Sequence, residues 1–267
     1  MSVSVVIRCK DEAAGIGRVL DVLAAQTERP EVVVVDSGST DGTLDVVRGR
    51  AVTLVEIPAA SFTYGGALNT GCEHATGEIL IALSAHSFPT DDGWIARMCA
   101  AMAGERVACA SGHTHRPDGS VLDGRIVQDL EHATAHPRWG FSCHAGAFRA
   151  DLWREHPFRT DLPASEDKEW AWHFQRQGWV AVLASDLVVD HTHGSDPVGG
   201  QYRRARNDWT GLGMFREVPR ASVRALAHEW WTSGAVYDSR WRARLSHRRM
   251  ARLLGGYAGR RSASRRS

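Results

Sequence analysis

The chain has 267 residues, 43% hydrophobic and 24% charged, with a formal net charge of +1. That is a globular composition, which leaves out collagen-like, coiled-coil and disordered chains. The longest apolar runs, residues 32–35 and 79–83, are strand-sized and fall far short of the roughly 20 residues that span a bilayer.

Residues 4–7 form a β-branched run that predicts a buried first strand, with no signal-peptide layout before it. Ile16, Val19, Leu20 and Leu23 then recur at helical spacing within residues 15–25, and Pro30 closes the segment. Four consecutive valines at 32–35 predict a second strand buried on both faces. A polar turn over residues 36–42 follows it. The pattern continues with a helix over 43–48, a strand over 52–57, a helix over 69–76, a strand over 79–83 and a helix over 94–103. Strands alternating with helices imply a mostly parallel sheet flanked by helices, with ligands bound beyond the carboxyl ends of the strands. From Ser111 the pattern loosens, and residues 180–189 read as one long strand or a strand pair. The five cysteines, Cys9, Cys72, Cys99, Cys109 and Cys143, include no C-x-x-C pair. Their pattern points to a reducing, cytoplasmic setting.

Six constellations stand where such a sheet places chemistry. Asp36, Ser37, Ser39 and Asp41 follow the valine strand, with a bland alternative as a turn and helix cap from Thr40 or Asp41. Arg8, Lys10, Asp11 and Glu12 follow the first strand and suit either a ligand site or a helix start. Gly65 and Gly66, ahead of a helix containing Asn69, are able to approach a diphosphate or simply to turn the chain. Ser84, Ala85 and His86 follow the fourth strand, where the histidine suits a metal or diphosphate. Glu166 and Asp167 open a helix and include a candidate general base, or else complement the helix dipole. His191 and His193 alternate along a strand end and suit a metal ligand pair. Asp91 and Asp92 read instead as the acidic first turn of a helix capped by Thr90.

In this order and spacing, residues 5–12 and 33–43 resemble the opening of a family 2 glycosyltransferase. Pro157-Phe158, Leu162-Pro163, the run 166–171 and the ending 188–193 resemble its rhamnosyltransferase-like branch. The resemblance implies an α/β GT-A fold over residues 1–209. Residues 1–110 would be the nucleotide-binding half and 111–209 the acceptor and catalytic half. It also implies a nucleotide-sugar donor and transfer with inversion. On this resemblance Asp36 contacts the base, with Arg8, Asp11, Glu12, Ser37, Ser39 and Asp41 around it, and Gly65, Gly66 and Asn69 lie near the donor. Asp167 is the general base, with Glu166 as the fallback. The family's metal-binding carboxylate segment reads Ser84-Ala85-His86 here. A divalent ion, manganese or magnesium in the family, would then rest on His86, His191 and His193, or the charge would be met by Arg203 and Arg204 in a closing loop.

Trp139 and Trp170 flank the expected base and are candidates to stack on the acceptor, with core packing as the alternative. A lone His113-Thr114-His115 pair weighs less as a metal site. The acceptor class spans glycans, lipid-linked sugars and small natural products. Residues 210–267 read as a helical basic extension with a disordered end over 261–267. Residues 240–267 hold ten arginines and no acidic residue. In 240–254 the arginines interleave with Trp241, Leu245, Met250, Leu253 and Leu254. That pattern suits packing on the chain itself, contact with an anionic inner membrane face, or a second copy. No nucleic-acid motif accompanies the charge. Two other nucleotide enzymes are disfavoured after the first strand. A dehydrogenase would show G-x-G-x-x-G there, and a pyrophosphorylase a basic Gly-rich loop. A relative that binds nucleotide without turnover stays open as an alternative.

Overall fold

The computed structural model describes residues 1–191, 197–232 and 246–264. They fall into two compact units, 1–160 with 167–192, and 161–166 with 193–267.

The first unit is built on an eight-stranded sheet. Its strands are β1 (Val3–Cys9), β2 (Glu31–Asp36), β3 (Thr53–Glu56), β4 (Ile79–Ser84), β6 (Val107–Gly112), β7 (Arg125–Gln128), β8 (Ala145–Arg149) and β9 (Val180–Ala184), ordered β3-β2-β1-β4-β8-β6-β9-β7. Only β8 and β7 run against the rest, so the sheet is mostly parallel, as the alternating pattern implies. Alternate side chains go to opposite faces. Val5, Ile7, Val34, Ile79, Ile81 and Leu83 join one core, while Val6, Leu80 and Ala82 join a second and Val33 and Val35 a third. This is why β2 needs four valines in a row.

The first face is covered by α1 (Ile16–Ala24), through Ile16, Val19, Leu20 and Leu23, and by α4 (Trp94–Met102), through Trp94, Ile95 and Met98. The other is covered by α3 (Tyr64–Glu73), α6 (Ala150–Glu155) and α7 (Glu166–Gln175), whose Leu68, Trp153, Trp170 and Phe174 share the second core. Helices α2 (Thr43–Arg48) and α5 (Leu130–Ala135) are short. Residues 180–189 become two elements. After β9 a 3₁₀ turn at Ser185–Leu187 redirects the chain, and β10 (Val189–His191) pairs with β5 (Ser87–Pro89) in a separate ribbon.

In the second unit α8 (Val198–Leu212), α9 (Val223–Thr232) and α10 (His247–Ala263) are helical. The α8–α10 seam is made by glycine. A Cβ at Gly255 or Gly259 would collide with the carbonyl of Tyr202 or Arg206, so only glycine lets these backbones approach. Buried Arg260 pairs with Glu229 at 3.0 Å and lies over the Trp209 ring at 4.8 Å. Trp209, the expected end of the catalytic half, thus lies inside α8 and packs on α10. The helix runs through Ala263, three residues into the stretch expected to be disordered. Among the described residues no helix is long and apolar enough to cross a membrane.

Candidate active site

The strand register sets the site. Cys9 lies opposite Asp36, and Arg8 opposite Ser84, so the loops after β1, β2 and β4 meet at one edge. The first two loops are clasped by short polar side chains. The Asp11 amide donates to Ser39 Oγ at 2.8 Å, and the Thr40 amide donates to Asp11 Oδ1 at 2.7 Å. The Glu12 amide donates to Thr43 Oγ1 at 2.8 Å, and the Ala13 amide to Asp41 Oδ2 at 3.1 Å. Asp11 holds φ 53°, a left-handed conformation that aspartate tolerates better than most side chains. The Thr43 hydroxyl, donating to Asp41, holds that carboxyl below the usual carboxylate range. Helix α2 starts at Thr43 as expected, but its cap lies one residue later than Asp41, at Gly42 in a left-handed turn (φ 92°).

Burial, reinforced by Asp36, Glu12, Asp41 and Asp11 around it, pushes the Cys9 thiol up to about 12. Four carboxylates thus surround Cys9 at this edge of the sheet. Asp36 itself is nearly inaccessible, at 1% exposure. Its Oδ1 accepts from the Gly38 and Ser39 amides at 2.9 Å each, and its Oδ2 from the Ser39 hydroxyl. It builds the loop instead of presenting itself to a base. Ser37 is buried too and donates to Cys9 O at 3.1 Å. Asp11, Thr40 and Asp41 stay exposed.

Three imidazoles meet beside these loops. His86 and His191 stack with centroids 4.8 Å apart, and His144 lies 5.0 Å from His191. Each ring has Nδ1 held by an oxygen: His86 by Glu12 at 2.8 Å, His191 by Ser87 at 2.7 Å, and His144 by Ser142 at 2.7 Å. The β5–β10 pairing sets His191 opposite Ser87. The Ser84 amide donates to His144 O at 2.9 Å. The expected pair His86 and His191 is thus brought together, while His193 lies outside the described residues. His144 joins them without a local signal; it precedes β8, whose reversed course returns the chain to the edge of β4.

Asp167 is half-buried at the start of α7. Its Oδ2 accepts from the Cys143 amide at 3.4 Å, next to His144, and lies 3.5 Å from Lys168 Nζ. Lys168 also donates to the carbonyl of Phe141. Glu166, its neighbour, is buried. Trp139 is partly exposed and anchored by Nε1 donation to His115 O at 2.9 Å, with His113 and His132 rings 4.9 and 5.3 Å away. Burial, and next the Lys168 ammonium, depress His113 to about 4.

Several expected site residues hold the fold instead. Trp170 is fully buried among Phe141, Phe148, Phe158 and Phe174, so it has no face to offer an acceptor. Asn69 spends its amide on Phe158 O and on Trp153 Nε1. Gly65 and Gly66 form the first turn of α3, with Thr63 as its cap, and a Cβ at Gly65 would collide with Arg159 O. The pair serves close packing, not a phosphate loop. Ala85 is buried in the core. Arg8 donates to Tyr64 O at 2.9 Å and lies over the Tyr64 ring. Arg203 and Arg204 are exposed on helix α8, not in a loop.

A model of glycosyl transferase family 2 matches residues 4–158. Glycosyltransferase AglE of Haloferax volcanii is 34% identical over 202 residues, which are 71% of this chain and 66% of that protein. An uncharacterized glycosyltransferase of Nostoc sp. is 36% identical over 99 residues, 35% of this chain and 29% of that one. The chain thus spans two thirds or less of the length of these relatives. Among solved structures, a mannosyltransferase from Pyrobaculum calidifontis in complex with GDP-Man and Mn2+ superposes with a TM-score of 0.68 at 22% identity, over 99% of this chain and 86% of that one. Glucosyl-3-phosphoglycerate synthase from Mycobacterium tuberculosis gives 0.63 at 18% identity, over 82% and 81%. The fold is GT-A.

Proposed function

The chain belongs to glycosyl transferase family 2, and on that footing we propose that it moves a sugar from a nucleoside-diphosphate donor onto an acceptor hydroxyl with inversion. One observation carries the reading: a half-buried carboxylate, Asp167, bonds to the segment that delivers His144 to the edge formed by the β1, β2 and β4 loops. The exposed Asp11, Thr40 and Asp41 would bind base and ribose. Asp167 Oδ2 would take the acceptor proton as that oxygen attacks the anomeric carbon from the side opposite the diphosphate. The sugar–phosphate bond breaks as the new glycosidic bond forms, and nucleoside diphosphate leaves. Trp139 offers a partly exposed ring for a glycan, lipid-linked or natural-product acceptor.

A divalent cation would rest on the imidazole group once its rings draw closer, since their donor atoms do not converge as they stand; each Nδ1 is already oriented by an oxygen, from Glu12, Ser87 or Ser142, as is typical of ligating histidines. Bound there, it would supply positive charge for the departing diphosphate. Imidazole donors favour manganese or zinc over magnesium, which prefers oxygen. The Mn2+ in the Pyrobaculum and mycobacterial complexes supports the reading. Exposed Arg248, Arg252 and Arg261 on α10 would suit an anionic membrane surface beside a lipid-linked acceptor.

The test is a panel of nucleotide-sugar donors with manganese, read by nucleoside diphosphate release and by NMR of the product's anomeric configuration. An inverted product, lost in Asp167→Asn with nucleotide binding kept, is expected. Retained configuration, or transfer undiminished in Asp167→Asn, would overturn the mechanism. Nucleotide binding without transfer from any donor would instead describe a nucleotide-binding partner subunit.

A further inference from the structure

Helix α7 carries a second cluster that the proposed transfer does not use. Glu169 and His173 are four residues apart and share one helix face. Asp167 lies two residues before Glu169, about 200° around the helix, so the cluster is turned away from the proposed base. His156, at the end of α6, completes it. The His156 carbonyl accepts from Trp170 Nε1 at 2.8 Å, which fixes it against α7.

One donor atom from each of His156, Glu169 and His173 lies within 4.8 Å of the others, and no other trio of ligand-type residues converges this way among the described residues. Glu169 is buried, and its two oxygens face His156 Nε2 at 3.2 and 3.3 Å. The His156 and His173 rings stack at 3.7 Å, nearly parallel at 4°. His173 Nε2 meets the Gln177 side chain at 2.9 Å, which orients that ring. An ordinary ion pair would use one imidazole. Here a second is stacked against it beside an almost inaccessible carboxylate, which is costly to bury unless it has a strong partner.

We propose that His156, Glu169 and His173 form a binding site for a divalent transition-metal ion, zinc foremost, that ties α7 to the end of α6. Two imidazole nitrogens and one carboxylate are a donor set suited to zinc, with a remaining position for water. On binding, the stacked rings turn apart so that each aims a nitrogen at the ion. His156 would bind as the neutral imidazole, its Nε2 facing the ion and its hydrogen carried on Nδ1.

The experiment uses the full chain stripped with chelator, titrated with zinc against a chromophoric chelator. His173→Gln and His156→Gln remove one donor each, and His191→Ala reports on the other imidazole group. The expected result is one zinc equivalent lost in both glutamine variants and kept in His191→Ala. Cobalt should give a visible ligand-field band in the wild type that both glutamine variants lack. Circular dichroism and melting in chelator check that each variant folds. Should His173→Gln fail to fold, His156→Gln carries the same readouts. A zinc equivalent that persists in the glutamine variants, or a wild type that binds none outside the group reported by His191→Ala, would overturn the proposal. Neither outcome bears on sugar transfer, so this site and the transferase reading fail separately.

Discussion

The two sides of the proposed site are built by different forces. The loops after β1 and β2 are short polar side chains that bind each other's backbone, so Asp11, Ser39 and Asp41 are preset before any ligand arrives. The wall from His113 to Trp170 is rings packed on rings, in which position comes from burial. Substitutions in the polar loops should therefore alter binding with little loss of stability. Substitutions in the wall should destabilise the protein, except at Asp167 and Trp139, which reach its surface.

The largest expected effect tests that exception. Asp167→Asn should lower turnover by about 10²–10⁴-fold, the usual worth of a general base. Steady-state kinetics should show this with melting temperature and nucleotide affinity unchanged. A mere loss of stability would put Asp167 with the buried wall. Next, Trp170→Ala should cost about 3–5 kcal/mol in urea denaturation, with acceptor KM unchanged in the protein that remains folded. A raised KM with full stability would return Trp170 to the acceptor side.

The wall should also be sensitive to acid. His113 titrates at about 4 when folded and near 6.5 when unfolded. Between those values the unfolded chain binds the extra proton, so stability falls as pH drops. The loss grows to about 3 kcal/mol at and below the lower value, and His113→Gln should remove that part of the slope. Denaturation series at pH 7, 6, 5 and 4 measure it, and an unchanged slope in the variant would contradict the assignment.

On the polar side, Glu12→Gln should weaken metal activation by about 10–100-fold, as loss of an orienting partner usually does. Excess manganese should restore rate, and failure of that rescue would mean that Glu12 serves the loop alone. Smallest is Trp139→Ala. A stacking contact worth about 0.5–1.5 kcal/mol predicts a several-fold rise in acceptor KM, with kcat and melting temperature held.

The same contrast explains what the sequence made legible. Valine runs and polar turns are local signals, so β1, β2, β4 and the loops after them could be read directly. The sequence predicts helix α3 only from Asn69, because Gly65 and Gly66 are poor helix formers, whereas it starts at Tyr64. Gly65 opens the helix because Arg159 packs where a side chain would stand, and Gly66 lies against the Thr63 hydroxyl that caps it. Spacing alone does not distinguish Trp139 from Trp170; only the fold shows that one reaches the surface and the other fills the core. His144 carries no motif, and its place follows from β8 running against its neighbours. The sequence puts Asp36 at the sheet edge, and there its carboxylate is consumed by its own turn.

The proposed transfer rests on a nucleoside-diphosphate donor held at the β1, β2 and β4 edge. Thermal shift against uridine, thymidine, guanosine and cytidine diphosphates, with and without manganese, tests it most directly. One base should be preferred, and its shift should shrink without manganese and in Glu12→Gln. Ligand at about 100 times its Kd should add about 2.7 kcal/mol. No shift for any of the four nucleotides, with or without metal, would contradict it.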